Sequence, residues 1–113
     1  MPKYSPGDVV SIAFPNQETP NLSTYRPAIV FESLQDEIEV VFITKQLHQQ
    51  SRYPDSFIVT CDSSEGKAMG LTFDSLIVPS RRKVLPVYKV TPPKRGECPA
   101  EIFEKLEEMI LGE

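Results

Sequence analysis

Five polar residues near the ends of predicted strands are the candidates for chemistry. They are Arg26, Thr44, His48, Asp74 and Ser75. A guanidinium is a permanent cation whose planar fork matches a phosphate group. Hydroxyl groups both donate and accept hydrogen bonds, and an imidazole or a carboxylate can transfer a proton. Such a set could bind an anionic group and act on it, but it forms no familiar catalytic motif.

Several kinds of site are disfavoured by what the sequence lacks. It contains no GxSxG, no glycine-rich phosphate-binding loop and no HExxH. A triad that needs histidine would depend on His48, the one histidine of the chain. Cys61 and Cys98 form no CxxC pair, whereas a structural zinc needs about four soft ligands. We therefore expect no metal, no cofactor and two free thiols.

Short apolar runs separated by turn residues predict a chain made mostly of strands. The predicted strands are residues 9–14, 27–31, 38–44, 57–61, 71–78 and 84–90. Pro27 is expected at the start of its strand because it lacks an N–H group, and Pro79 is expected to end another. Polar segments predict loops at 16–25 and 62–70, a loop with a helical turn at 45–56, a basic turn at 80–83 and a linker at 92–98.

The last part of the chain has a different pattern. Ile102, Leu106, Met109 and Ile110 recur at helical spacing, with charged residues on the opposite face. Pro99 suits a first helical residue and Gly112 a helix end. The prediction is a mainly β protein with a terminal amphipathic helix, in which a small, partly closed barrel packs against that helix.

Length and hydropathy limit the organisation of the chain. Its 113 residues suffice for one domain, spanning residues 1–113. No apolar run approaches the ~18 residues of a membrane span or the length of a secretory signal. We expect a cytoplasmic protein with no membrane partner.

The net charge of −4 taken alone argues against a protein that binds nucleic acid. The acidity, however, is concentrated at the end of the chain, where residues 97–113 include six acidic and one basic residue. Residues 40–96 include nine basic and four acidic residues. The chain is therefore better described as a modestly basic barrel with an acidic helix.

Five motifs in order resemble the MazF/PemK family of bacterial toxins. They are GDVVSIAFP, YRPAIVFE after a polar loop, VVFITKQ, GLTFDSLI before a basic turn, and the terminal amphipathic helix. The resemblance implies an SH3-like barrel of the CcdB/PemK type and a homodimer. It also implies sequence-specific, metal-independent cleavage of single-stranded mRNA by a toxin that a cognate antitoxin neutralises. DNA would be reached only indirectly, through the antitoxin.

The resemblance also assigns residues. Arg26 of the Arg-Pro motif and Thr44 at the end of the central strand match the functional pair of the family. Some relatives have an Arg-x-Asp acid–base pair where this chain has Phe73 and Ser75, so the general base is unassigned. Asp74 is the first candidate, and a structural role for Asp74 in the turn is the alternative. RNA binding is assigned to residues in the loops beside the site and in the basic turn: Gln17, Tyr25, Lys45, Gln46, Ser75, Arg81 and Arg82.

Two other functions stay open. A gyrase poison of the CcdB type would share the fold, but the chain lacks the tryptophan that such poisons have near their C-terminus. A non-catalytic SH3-like binding module is favoured by the missing Arg-x-Asp pair. For single residues, Arg26 could also be a solvated loop arginine, and the basic turn could be only a hairpin tip.

Overall fold

One antiparallel sheet contains all the strands of the computed structural model, which describes residues 4–15 and 23–112. Of residues 13–15, 23–25, 92 and 93 it describes the backbone alone. The strands are β1 (Asp8–Pro15), β2 (Ser23–Ser33), β3 (Glu37–Thr44), β4 (Phe57–Val59), β5 (Ser75–Pro86) and β6 (Val90–Glu97). Their order in the sheet is β4-β5-β3-β2-β1-β6. Helices α1 (Ser64–Ala68) and α2 (Ala100–Leu111) and two 3-10 turns (Leu47–Ser51 and Val87–Lys89) complete the fold. The predicted mainly β architecture with a C-terminal helix is confirmed.

Alternate residues of the strands build two separate cores, because successive side chains point to opposite faces of a sheet. In β2, Ile29 belongs to the core that packs against α2, and its neighbours Ala28 and Val30 belong to the other core. Leu106 of α2 is fully buried in the first core. The second core is equally well buried, and Tyr4 is one of its members. Among the described residues neither α1 nor α2 contributes to it, and the residues packed against it are Phe42 of β3 and Val87 of the second 3-10 turn.

The start of β2 differs from the prediction. Pro27 lies inside β2 rather than at its start, and the strand begins at Ser23, within the predicted loop. Pro27 pairs with Ser11 of β1, but pairing between β2 and β3 begins only at Ala28, opposite Phe42. A proline has no N–H to give to a second neighbour. The two strands consequently separate at Pro27, and the last residues of β3 pair with β5 alone.

Strand β5 is continuous where a break was predicted. Val78 pairs with Phe42 and Arg82 with Val41, so residues 79–81 form a bulge between adjacent partners. Pro79 does not end the strand, because a bulge tolerates a residue without an N–H. The predicted turn at 80–83 is wrong for the same reason: the basic residues follow the bulge and stay in the strand.

Two further segments contain structure that the sequence pattern did not predict. Within the predicted loop 62–70, α1 begins after Ser63, whose Oγ accepts the N–H of Gly66 at 3.0 Å. The predicted linker at 92–98 lies mostly in β6, where Gly96 pairs with Val9 and Thr91 with Ser11. Residues 92–95 are thus a wide bulge opposite Val10. No helix among the described residues is long and apolar enough to cross a membrane.

Candidate functional site

A cleft of about 150 Å³ opens where β2 and β3 separate. By this measure one water needs about 10–15 Å³, so the cleft has room for a group much larger than water. Its polar lining consists of Arg26, Thr44, Lys45, Gln46, Thr72, Ser75 and Arg95. Five of these seven residues were assigned from the sequence, and Thr72 and Arg95 were not.

Arg26 and Thr44 both line the cleft, and the register of β2 and β3 explains why. Ala28 of β2 pairs with Phe42 of β3. Two residues further along each strand, the same register places Arg26 opposite Thr44 and on the same face. Because the strands separate at Pro27, both residues line the cleft that opens between the strands.

The hydroxyl of Thr44 is oriented by the turn that follows it. Its Oγ1 accepts the backbone N–H of Gln46 at 3.2 Å. This bond uses a lone pair of the oxygen and leaves the O–H hydrogen to donate to a bound group. The side-chain oxygen of Gln46 in turn accepts a hydrogen bond from the amide of Gln49.

Arg95 is a cleft residue that the sequence analysis missed. It lies in the wide bulge of β6, and its Nε donates to Ser11 Oγ at 2.7 Å, which fixes the half-buried guanidinium against β1. The neighbouring Lys94 instead binds the carboxylates of Glu97 at 2.9 Å and Asp8 at 3.2 Å, and these bonds raise the pKa of its ammonium group. The only sequence signal was a basic pair before a glycine, which does not reveal the bulge.

Close backbone contacts hold the bulge in place. A Cβ atom on Gly70 would lie 2.3 Å from the carbonyl oxygen of Arg95, and Gly70 has a φ of 70°. A Cβ atom on Gly96 would lie 2.2 Å from the carbonyl oxygen of Ala68. Because glycine is present at both positions, β6 can approach the end of α1 and present Arg95 to the cleft.

Comparison with known proteins gives the fold but no relative by sequence. No family model matches the chain, and no curated protein matches it. In two crystal structures of MazE-MazF from Deinococcus radiodurans, a chain superposes on this one with TM-scores of 0.68 and 0.69. The matches cover 95% of this chain and 91% and 92% of the other, at 17% and 14% identity. The chain has a MazF-like fold. The resemblance inferred from the motifs is confirmed at the level of the fold.

Within this MazF-like fold, the cleft is cationic although the chain as a whole is acidic. Arg26, Lys45 and Arg95 line it, and among the described lining residues there is no aspartate, glutamate or histidine. Clustered cations with hydroxyl groups suit a phosphate or another anion. In the part of the chain that the structure describes, no three residues of the His, Cys, Asp and Glu types form a group that could hold a metal ion.

Asp74 immediately precedes β5, and its position differs from that of the assigned residue Ser75. It does not line the cleft, and its Oδ1 accepts the backbone N–H of Cys61 at 3.0 Å. The hydrogen bond to Asp74, with desolvation and the carboxylate charge, raises the pKa of the Cys61 thiol. The next residue, Ser75, is buried, and its hydroxyl donates to the carbonyl oxygen of Phe73 at 2.8 Å. In this structure Asp74 therefore anchors the segment before β5.

Replacing Asp74 with asparagine is expected to speed the alkylation of Cys61 by iodoacetamide at pH 8. The pKa of the thiol falls when the carboxylate is lost, and the thiolate is the reactive form. Mass spectrometry of each cysteine after timed alkylation measures the effect. Cys98 is the internal control, because burial raises its pKa to about 12. An unchanged rate at Cys61 would show that the Asp74 carboxylate does not reach this thiol in solution.

The remaining assigned residues do not meet at the cleft. Arg81 lies over the ring of Phe42, 5.7 Å from its centroid, and Arg82 Nη1 is 4.0 Å from Glu39 Oε1. Neither arginine lines the cleft. Gln17 is outside the described residues, and Tyr25 is described only through its backbone in β2, which pairs with Ala13.

Proposed function

We propose that the protein is a toxin with endoribonuclease activity that cleaves single-stranded mRNA without a metal ion. The observation that supports this most is the meeting of Arg26, Arg95 and Thr44 in a cationic cleft of a MazF-like fold. The substrate supplies the nucleophile, because RNA has a 2′-hydroxyl next to each phosphate. Since mRNA is the substrate, the proposed place of action is the cytoplasm.

In the proposed reaction the 2′-oxygen attacks the adjacent phosphorus and the bond to the 5′-oxygen breaks. The products are a 2′,3′-cyclic phosphate and a free 5′-hydroxyl. Negative charge grows on the non-bridging phosphate oxygens as the new bond forms, so donors aimed at these oxygens bind the transition state more strongly than the ground state. Arg26 offers a planar fork for two of them. Arg95, held by Ser11, supplies a second cation at the same cleft.

Thr44 and the proton transfers complete the scheme. The O–H hydrogen of Thr44 can donate to a phosphate oxygen or orient the 2′-hydroxyl, because its oxygen is already fixed by Gln46 N–H. One group must accept the 2′ proton and one must return a proton to the leaving 5′-oxygen. Arginine is a reluctant base because of its high pKa. Asp74 stays a candidate base, and it would have to leave the N–H of Cys61 and turn into the cleft.

The partner proposed for this toxin is a cognate antitoxin. The two similar crystal structures are named as complexes of MazE with MazF. A segment of an antitoxin with acidic side chains would complement the cationic cleft and exclude RNA from it. We also propose that the protein forms a homodimer. In the same proposal, RNA contacts Lys45, Gln46 and Ser75 beside the cleft.

The proposal is tested with a long single-stranded RNA in EDTA. We expect cleavage at a limited set of sequences, with cyclic phosphate and 5′-hydroxyl ends. A matched oligonucleotide with a single 2′-deoxynucleotide at the cleavage position is expected to stay intact, because it lacks the nucleophile. Cleavage of the 2′-deoxy oligonucleotide, or 5′-phosphate products, would overturn the mechanism. An uncleaved RNA that still binds would favour a non-catalytic module, and trapping of gyrase in a supercoiling assay would favour a CcdB-like poison.

A further inference from the structure

An exposed aromatic ring stands at the rim of the cleft, beside the cationic groups. Phe73 lines the cleft and is 59% exposed. The ammonium group of Lys45 lies over the ring, 5.1 Å from its centroid. Lys45 covers only part of the phenyl group, so an aromatic surface stays open to solvent next to Arg26 and Thr44. Neither the core packing nor the phosphate chemistry described above uses this surface.

The backbone on both sides of Phe73 is anchored. Leu71 is buried in the core that packs against α2, and its N–H donates to the carbonyl oxygen of Gly66 at 3.0 Å. On the other side, Asp74 accepts the N–H of Cys61, and the buried Ser75 donates to the carbonyl oxygen of Phe73 itself. An exposed ring on a fixed backbone loses little conformational freedom on binding, which favours a ligand that stacks on it.

We propose that Phe73 and Lys45 form a nucleobase subsite for single-stranded RNA. The base of a nucleotide next to the cleaved phosphate stacks on the phenyl ring, while Lys45 contacts the backbone and Arg26 and Arg95 hold the phosphate. Stacking on an aromatic side chain is a common way to bind an unpaired base. The inference rests on the proposed function, because it needs RNA in the cleft.

Charge favours a nucleotide over a protein side chain as the occupant. Among the described residues that line the cleft with the ring, three are cationic (Arg26, Lys45 and Arg95) and none has a carboxylate. A polyanion with flat, apolar bases satisfies the cations and the ring at the same time. A hydrophobic side chain of a protein partner would cover the ring but bring no negative charge to the cationic cleft.

The test compares two oligomers that bind without being cleaved. One is a fully 2′-O-methylated RNA, and the other is an abasic 2′-O-methyl ribose-phosphate chain of the same length and charge. Fluorescence anisotropy with the full-length protein gives the affinity for each oligomer. We expect Phe73→Leu to weaken binding of the base-bearing RNA about tenfold and to leave binding of the abasic chain unchanged. Phe73→Trp, which retains an aromatic face, should stay within about twofold of the parent for both.

The chain offers a matched control in another aromatic–lysine pair. Tyr88 is 80% exposed, and Lys89 Nζ lies 5.7 Å from the centroid of its ring, outside the cleft. Tyr88→Leu should change neither affinity. Equal losses for both oligomers in Phe73→Leu, no loss for either, or the same loss in Tyr88→Leu would overturn the subsite. If Phe73→Leu binds and cleaves RNA as the parent does, the subsite is wrong but the proposed function stands. If the parent protein binds neither oligomer, both the subsite and the proposed function are wrong.

Discussion

Replacing Arg26 with alanine is expected to lower kcat for RNA cleavage by about 10²–10³-fold, the usual effect of losing one preorganised donor to a developing charge. Arg26 is exposed at the separated end of β2 and lines the cleft opposite Thr44. Its fork is expected to contact two phosphate oxygens at once. Because this contact strengthens in the transition state, kcat should fall more than KM rises. Initial rates on a fluorogenic oligoribonucleotide measure both constants.

Two other variants give this prediction its controls. Arg26→Lys keeps the charge but loses the planar fork, so its activity should lie between those of Arg26→Ala and the parent. Arg52→Ala removes an exposed guanidinium that does not line the cleft, and its activity should equal that of the parent. Thermal unfolding checks that all three variants fold. A parent-like kcat for Arg26→Ala would show that the reaction does not use this cleft.

The parts of the fold that the sequence predicted well are those with a strong local pattern. The β-branched run that ends at Thr44 predicted β3 to within one residue. The spacing of Ile102, Leu106, Met109 and Ile110 predicted α2, which begins one residue after Pro99 and ends at Leu111. In β3 successive residues are buried in two different cores, and in α2 the apolar residues share one face. Both patterns lie within a few neighbouring residues, so the sequence alone reveals them.

The wrong predictions at Pro27 and Pro79 concern features that depend on pairing with strands distant in sequence, and no local pattern reveals such pairing. Pro27 fits inside β2 only because β3 is not paired with it there. Pro79 fits inside β5 because the strand bulges against Phe42 and Val41. Whether a strand tolerates a proline depends on which neighbouring strands pair with it at that residue, and the sequence of one strand does not show this.

The candidate site divides in the same way. Arg26 and Thr44 could be assigned because ordered motifs mark both strand ends, and register then makes them neighbours. Arg95 could not be assigned, because it reaches the cleft through a bulge opposite Val10 and a contact between the backbones of Gly70 and Arg95. Local charge suggested Arg81 and Arg82, which contact Phe42 and Glu39 and do not line the cleft.

Glycine substitutions test how the bulge that presents Arg95 is held. Gly70→Ala is expected to lower the free energy of unfolding by about 2–6 kcal/mol, from a strained positive φ and from overpacking together. The φ of Gly70 is 70°, and the new Cβ would lie 2.3 Å from the carbonyl oxygen of Arg95. Backbone atoms cannot rotate out of the way, so β6 must shift. Chemical denaturation monitored by circular dichroism measures the loss.

Two other glycines separate the two causes. Gly7 has a φ of 98° and open space around the position of a Cβ, so Gly7→Ala should cost only the backbone strain, about 1–3 kcal/mol. Gly96 is not among the described positive-φ glycines, but its Cβ would lie 2.2 Å from the carbonyl oxygen of Ala68, so Gly96→Ala introduces the contact alone.

Both Gly70→Ala and Gly96→Ala should also lower RNA cleavage by the folded protein, because each displaces the strand that presents Arg95. Gly7→Ala should leave cleavage unchanged, because Gly7 lies outside the cleft. If Gly7→Ala lowers cleavage as much as the other two, the loss comes from general destabilisation and not from the position of Arg95.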